Sequence, residues 1–256
     1  MVMKSVNQIL TSACVVSVLF ISGCAIKVQL PEAGGKVALK STVQYIPKKT
    51  IVDGRERPYD ASENPYLDIR SKVDKGSVLL FIEAKNAKRK GKLAVAKQKL
   101  GVIIKKDKSL SGPWSMLADI AVAENEFKLA VSYYKRAIEI TPENVNAYTA
   151  LATTKRLMGE YNAAQNTLEI ALKLWPDFPE AHLNLGILYD IYLNKPRQAQ
   201  MHMEAYLYLT GYKNKQAEIW FKEVRSRTGI TASFIVDASL NDKVTKSVVD
   251  KKEVGE

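Results

Sequence analysis

Residues 114–142 read WSMLADIAVAENEFKLAVSYYKRAIEITP and residues 148–176 read YTALATTKRLMGEYNAAQNTLEIALKLWP; laid one above the other, they decide the fold. Trp114, Leu117, Ala118, Phe127, Ala130, Tyr134, Ala137 and Pro142 return 34 residues later as Tyr148, Leu151, Ala152, Tyr161, Ala164, Leu168, Ala171 and Pro176. A third copy begins with His182, Leu185, Gly186 and Tyr189. Within a copy, Trp114, Leu117, Ala118 and Ala121 share one face of a helix, and Phe127, Ala130, Tyr134 and Ala137 share one face of another. Two antiparallel helices per copy follow. Small residues at Ala118, Ala130, Ala152, Ala164 and Gly186 let backbones approach, while the large aromatics fill the space between neighbours. Gly159 stops a first helix, and Pro142 and Pro176 end the second helices.

This pattern resembles the tetratricopeptide repeat, eight positions matching at that family's period. The resemblance implies an all-α solenoid of stacked helical hairpins with a capping helix at its C-terminal end. The copies run 111–144, 145–178 and 179–213, preceded by a degenerate one at 77–110 carrying Ala84, Gly91, Ala96, Leu100 and Ile103. Residues 214–228, with Ala217, Trp220 and Val224, read as the cap, and 229–256 as a polar, frayed tail. In the third copy Ala199 comes one residue late, which places a one-residue insertion in the turn Leu193-Asn194-Lys195-Pro196. Pro196 suits the first turn of the helix that follows.

The resemblance also implies a concave groove, lined by first helices, in which a partner protein docks. Carried over position by position, its lining is Lys85 and Lys88, then Asp119 and Val122, then Asn146, Thr149, Thr153 and Arg156, then Leu183, Ile187 and Asp190. Such a groove starts basic and ends apolar. Thr149 and Thr153 stand where the carboxylate-clamp subclass has lysine and asparagine, so capture of a partner's C-terminus is not expected.

Outward from the repeats, residues 1–23 hold Lys4, an apolar run from Ile9 to Ile21 and small residues at the end, the form of a secretory signal. That run is too short to span a bilayer, which takes about 20 residues. Ile21-Ser22-Gly23-Cys24 resembles the lipobox of bacterial lipoproteins, which implies cleavage before Cys24 and lipidation of its thiol, with no other cofactor. Ala25, where an aspartate would retain the protein in the inner membrane, points to the periplasmic side of the outer membrane. Residues 24–76 carry Pro31, Gly34, Gly35, Pro47, Pro58 and Pro65 without helical period and read as a flexible tether, of reach roughly 40 Å if fully coiled. Tyr45, Tyr59 and Tyr66 leave open an ordered arm packed along the repeats.

Thirty-eight basic against 27 acidic residues give a net charge of +11, and ten Lys or Arg crowd Lys85–Lys108 with only Asp107 opposing within that stretch. The crowd is either a patch for an anionic lipid, a wall polymer such as peptidoglycan or an acidic partner, or a solvated helix face. Export argues against nucleic acid. Tyr189, Tyr192, Tyr206, Tyr208, Tyr212 and Trp220 read mostly as core. His182 and His202 have no companion at ligand spacing, and His182 reads as packing, so neither metal nor catalysis is expected. The chain reads as a membrane-anchored protein-interaction adaptor for an envelope machine of the pilus or secretion type; the alternative is a wall- or polysaccharide-binding scaffold using residues 85–108.

Overall fold

A computed structural model describes residues 38–53, 55–67 and 73–236. The signal segment, Cys24, residues 25–37 and residues 237–256 lie outside the described residues. The helices are α1 (Lys75–Arg89), α2 (Leu93–Lys106), α3 (Ser111–Ala123), α4 (Phe127–Ile140), α5 (Val145–Leu157), α6 (Tyr161–Leu174), α7 (Pro179–Ile187), α8 (Pro196–Leu209) and α9 (Lys215–Thr228). They pair as hairpins α1/α2, α3/α4, α5/α6 and α7/α8, with α9 closing the stack on α8. This is the expected solenoid and cap.

Local chemistry sets the ends. Asp74, Asn144 and Asn214 cap α1, α5 and α9 by accepting the backbone N–H groups of Ser77, Ala147 and Ala217. Hydrogen bonds from Lys106 and Ser77 hold the Asp74 carboxyl well below the usual carboxylate range. Each hairpin turns through one left-handed residue, at Gly91, Asn125, Gly159 and Asn194, with φ of 71°, 61°, 79° and 49°. The contact points are the expected small residues: Ala84, Ala96, Ala118, Ala130, Ala152, Ala164 and Ala199 are all buried. At Gly186 a Cβ would stand 2.8 Å from Cγ of Met203. Between these points Leu100, Leu151, Leu168, Leu172, Leu185 and Leu207 are fully buried, each removing apolar surface worth about 1.5–3 kcal/mol from water.

The extra residue of the third copy lies elsewhere than expected. Three hairpins close with the same backbone bond, Lys92 to Ala87, Glu126 to Ala121 and Glu160 to Lys155, spanning five residues, whereas the fourth joins Lys195 to Tyr189 and spans six. The left-handed residue keeps its place directly before the closing N–H in all four. The insertion is absorbed upstream as a π-helical stretch, Leu188–Tyr192, continuing α7, where the Leu193 N–H reaches back to Leu188 O at 3.0 Å. A helix can widen by one residue at the loss of little hydrogen bonding.

The first described segment is an ordered arm, so a flexible tether does not describe these residues. Asn166 of α6 accepts the Lys40 N–H and donates to Ala38 O, both at 2.9 Å, and Gln165 donates to Lys40 O. After a single 3₁₀ turn at Val43–Tyr45, Ile46 enters a small core with Met201, Ala205 and Ile235. A two-residue hairpin pairs Ile51 with Glu56 and Val52 with Arg55. Farther along, Asp177 accepts from the Tyr59 hydroxyl at 2.5 Å and from the Ser62 N–H and hydroxyl at 2.8 and 2.7 Å. The start of the tail docks as well: Glu204 accepts from the Phe234 N–H, and Lys49 N–H donates to Val236 O. Arm and tail together leave α8 buried on every side from Ala199 to Ala205.

Candidate functional site

First helices α1, α3 and α5 line a cavity of about 260 Å³ whose walls include Phe81, Met116, Asp119, Tyr134 and Asn146, with Tyr66 of the arm at its border. A neighbouring cavity of about 430 Å³ runs toward the N-terminal end of the stack, between Val78, Phe81, Ile82 and Leu110. Tyr66 belongs to both walls and anchors its hydroxyl to Ser111 at 3.2 Å.

The residues expected to line the groove divide into those tied to neighbours and those left facing solvent. Lys88 ion-pairs with Asp119 across the first two hairpins at 2.5 Å, and the second Asp119 oxygen accepts the Tyr134 hydroxyl at 2.6 Å. Burial and this carboxylate together push the Tyr134 phenol far up. Arg156 donates to the Tyr192 hydroxyl at 2.9 Å and lies over that ring at 5.4 Å. Its Nε is buried and finds no partner among the described residues. Asp190 is engaged elsewhere: it accepts Trp220 Nε1 at 2.8 Å and Arg227 at 2.6 Å, which makes it the clasp of the capping helix. Thr149 is buried and bonds back to Val145 O, while Thr153 bonds to Thr149 O and approaches Asn184. Lys85 and Asn146 are exposed, and Val122, Leu183 and Ile187 half-buried. The side chains free to meet a partner are thus fewer than the eleven expected.

The basic segment is partly neutralised in space. Lys88, Lys97, Lys99 and Lys106 pair with Asp119, Glu124, Glu83 and Asp74. These carboxylates come from neighbouring turns, and all but Glu83 lie at least 25 residues away in sequence, which is why counting within 85–108 hid them.

A second constellation, missed in the sequence, lies on α6, α7 and α8. His182 and His202, 20 residues apart, meet with their Nδ1 atoms 2.9 Å from each other, both rings fully buried. Around them Gln165, Asn166, Glu169, Asp177 and Glu204 all hold arm or tail. The available signal was the polar content of α8, where Gln200, His202 and Glu204 interrupt what would otherwise be a one-faced helix; all three are buried and hydrogen-bonded. Among the described residues no group of three or more His, Cys, Asp or Glu could hold a metal ion, and no helix is long and apolar enough to cross a membrane.

Residues 121–182 match the family model for the tetratricopeptide repeat. No curated protein sequence matches the chain. Among solved structures it is similar to PilF of Pseudomonas aeruginosa, at 21% identity and a TM-score of 0.56 over 60% of this chain and 70% of that one. It is also similar to TTC0263, a tetratricopeptide-repeat protein of Thermus thermophilus, at 19% identity and 0.52 over 59% and 81%. MamA of Desulfovibrio magneticus RS-1 matches at 14% identity and 0.51 over 72% and 99%. At these identities the likeness is one of fold. Residues 75–228 thus stack as a solenoid of helical hairpins of the tetratricopeptide-repeat type, and within it residues 121–182 match that family's model.

Proposed function

We propose that the protein is a membrane-anchored adaptor that holds a partner protein in the groove of its repeat array during assembly of an envelope machine of the pilus or secretion type. The observation that carries this is the groove itself: two adjoining cavities of about 260 and 430 Å³ lined largely by first helices, with exposed Asn146 in the wall of the smaller one and exposed Lys85 on α1. The fold shared with PilF supports the choice of machine, and the lipobox ending at Cys24 supports anchoring by acyl chains, on the periplasmic side of the outer membrane. The wall-polymer alternative is weakened by the ion pairs that engage four of the ten cations in the basic segment.

Affinity capture from detergent-solubilised envelopes tests the groove. The charge change belongs at Lys85→Glu with Asn146→Arg, since Arg156 and Asp190 serve the structure. Loss of the partners captured by the unaltered chain supports the reading; recovery of the same partners by both forms refutes it. Labelled palmitate entering the unaltered chain and not Cys24→Ser, with the latter leaving the membrane fraction, tests the anchor.

A further inference from the structure

The buried histidine pair sits at the centre of a hydrogen-bonded chain whose protons can all be assigned. At one end is a backbone carbonyl, Pro176 O, which can only accept; His182 Nε2 lies 2.9 Å from it and therefore carries the proton. In a neutral imidazole the other nitrogen is then bare, so His182 Nδ1 accepts. His202 Nδ1, 2.9 Å away, must be the donor, which leaves His202 Nε2 bare. That nitrogen accepts the hydroxyl of Thr42 at 2.8 Å, and Thr42 in turn accepts the hydroxyl of Tyr189 at 3.0 Å. Of the five groups, four belong to the repeat array and one, Thr42, belongs to the arm. Thr42 is buried, with 1% of its surface exposed.

A further proton is costly at either ring. On His182 it would set N–H against N–H across 2.9 Å; on His202 it would oblige the Thr42 hydroxyl to turn and donate to Tyr189 instead, leaving a fully buried cation with no carboxylate against the ring among the described residues. Few charges are placed to compensate. From the turn after α6, Asp177 faces His182, but its oxygens already serve Tyr59 and Ser62 of the arm. From the π-helical stretch Tyr189 stacks on His202 with ring centroids 5.6 Å apart, and from the arm only Thr42 reaches the ring. Lys195, ahead of α8, lies across a cavity of about 220 Å³ that it shares with Thr42, Tyr189 and Gln198, and it opposes a cation.

We propose that the His182–His202 pair is a proton-operated latch for the arm: neutral, it holds Thr42 and with it residues 38–46 against α6 and α8; on proton uptake it lets that segment go. Release uncovers Gln165 and Asn166, whose amides grip the arm by its backbone alone, and so frees a face suited to another extended peptide. The direction follows from burial. Desolvation pushes His182 down to about 4 and His202 well below its ordinary value, so the docked form binds fewer protons than the released one. Docking is then undiminished above the ordinary histidine value near 6.5 and weakens steadily as the pH falls below it. A His202 ring freed by departure of Thr42 and titrating near 6.5 favours its protonated form about 30 to 1 at pH 5, so the released fraction rises roughly thirtyfold between pH 7.5 and pH 5. That window stays above the ordinary carboxylate range.

Hydrogen exchange on the full chain, expressed as protection factors at pH 7.5 and pH 5, reads the arm at the Lys40 amide and the array at α3 to α6. The expected result is a fall of roughly thirtyfold at Lys40 with the helices unchanged. His202→Gln, which removes the titrating ring, should abolish the response of Lys40 to acid, and Thr42→Val, which removes the link and leaves both rings in place, should loosen Lys40 at pH 7.5. Protection at Lys40 that ignores pH in the unaltered chain, helices that open together with the arm, an acid response that persists in His202→Gln, or Lys40 protection unchanged at pH 7.5 in Thr42→Val would each overturn the latch.

Discussion

Replacing Asp177 by Ala should detach the middle of the arm and leave the array standing. Its carboxylate accepts three hydrogen bonds from the arm, the Tyr59 hydroxyl at 2.5 Å and the N–H and hydroxyl of Ser62 at 2.8 and 2.7 Å. Bonds to a charged acceptor are worth about 1.5–3 kcal/mol each, but the freed donors lie near the surface and regain water, so about 1 kcal/mol apiece is the net loss. The total of about 3 kcal/mol corresponds to a rise of about two orders of magnitude in the open population. Exchange of the Ser62 amide reads this directly, because that N–H is itself one of the three donors. Trp175, whose Nε1 donates to Ser62 O at 2.7 Å, gives a second reading through its emission. Neither helix content nor the melting temperature of the repeats should move by more than a few degrees. Ser62 protection within tenfold of the unaltered chain would refute the reasoning, as would unfolding of α7 and α8 together with the arm.

Gly186→Ala should overpack the contact with Met203 and lower stability by about 1–3 kcal/mol, seen as a lower melting temperature; adding Met203→Ala should restore part of it. Asn125→Ala forces an unfavourable left-handed residue at φ 61° and should cost about 1–2 kcal/mol in urea melts, whereas Asn125→Gly should cost nothing. Lys155 is buried with its Nζ 2.9 Å from Thr167 Oγ1, and desolvation pushes its amine down. Folding of the unaltered chain should therefore strengthen as pH rises toward the ordinary lysine value of about 10.4, and Lys155→Met should be at least as stable at pH 7 and lack that slope in denaturant melts.

The hairpins were legible because each copy states its own contacts: Ala118 with Ala130, and Ala152 with Ala164, lie within one period of the chain. The arm was not, because its fastenings join distant residues; Ser62 meets Asp177 115 positions on, and Thr42 meets His202 160 positions on. No local pattern encodes such pairings. The insertion was detectable from the 35 residues separating Gly159 from Asn194, against 34 from Asn125 to Gly159, but a count cannot say whether helix or turn absorbs the surplus. In the groove, position along the repeat located Asp119 and Asp190 correctly on first helices, yet their partners Lys88, Tyr134, Trp220 and Arg227 come from other helices.

The enclosure of α8 limits how this molecule can grow. A repeat array lengthens over generations by duplicating units, and each new unit needs an open flank on which to sit. Here the fourth hairpin has given up its flank to Ile46 and Ile235, and its polar side chains to Thr42, Ile230 and Phe234. A duplicate inserted after α8 would find those places taken, while one inserted between α4 and α5 would meet only the generic alanine contacts it brings with it. Variation in the length of related chains is therefore expected among the earlier hairpins, with the final one inherited as a closed terminus.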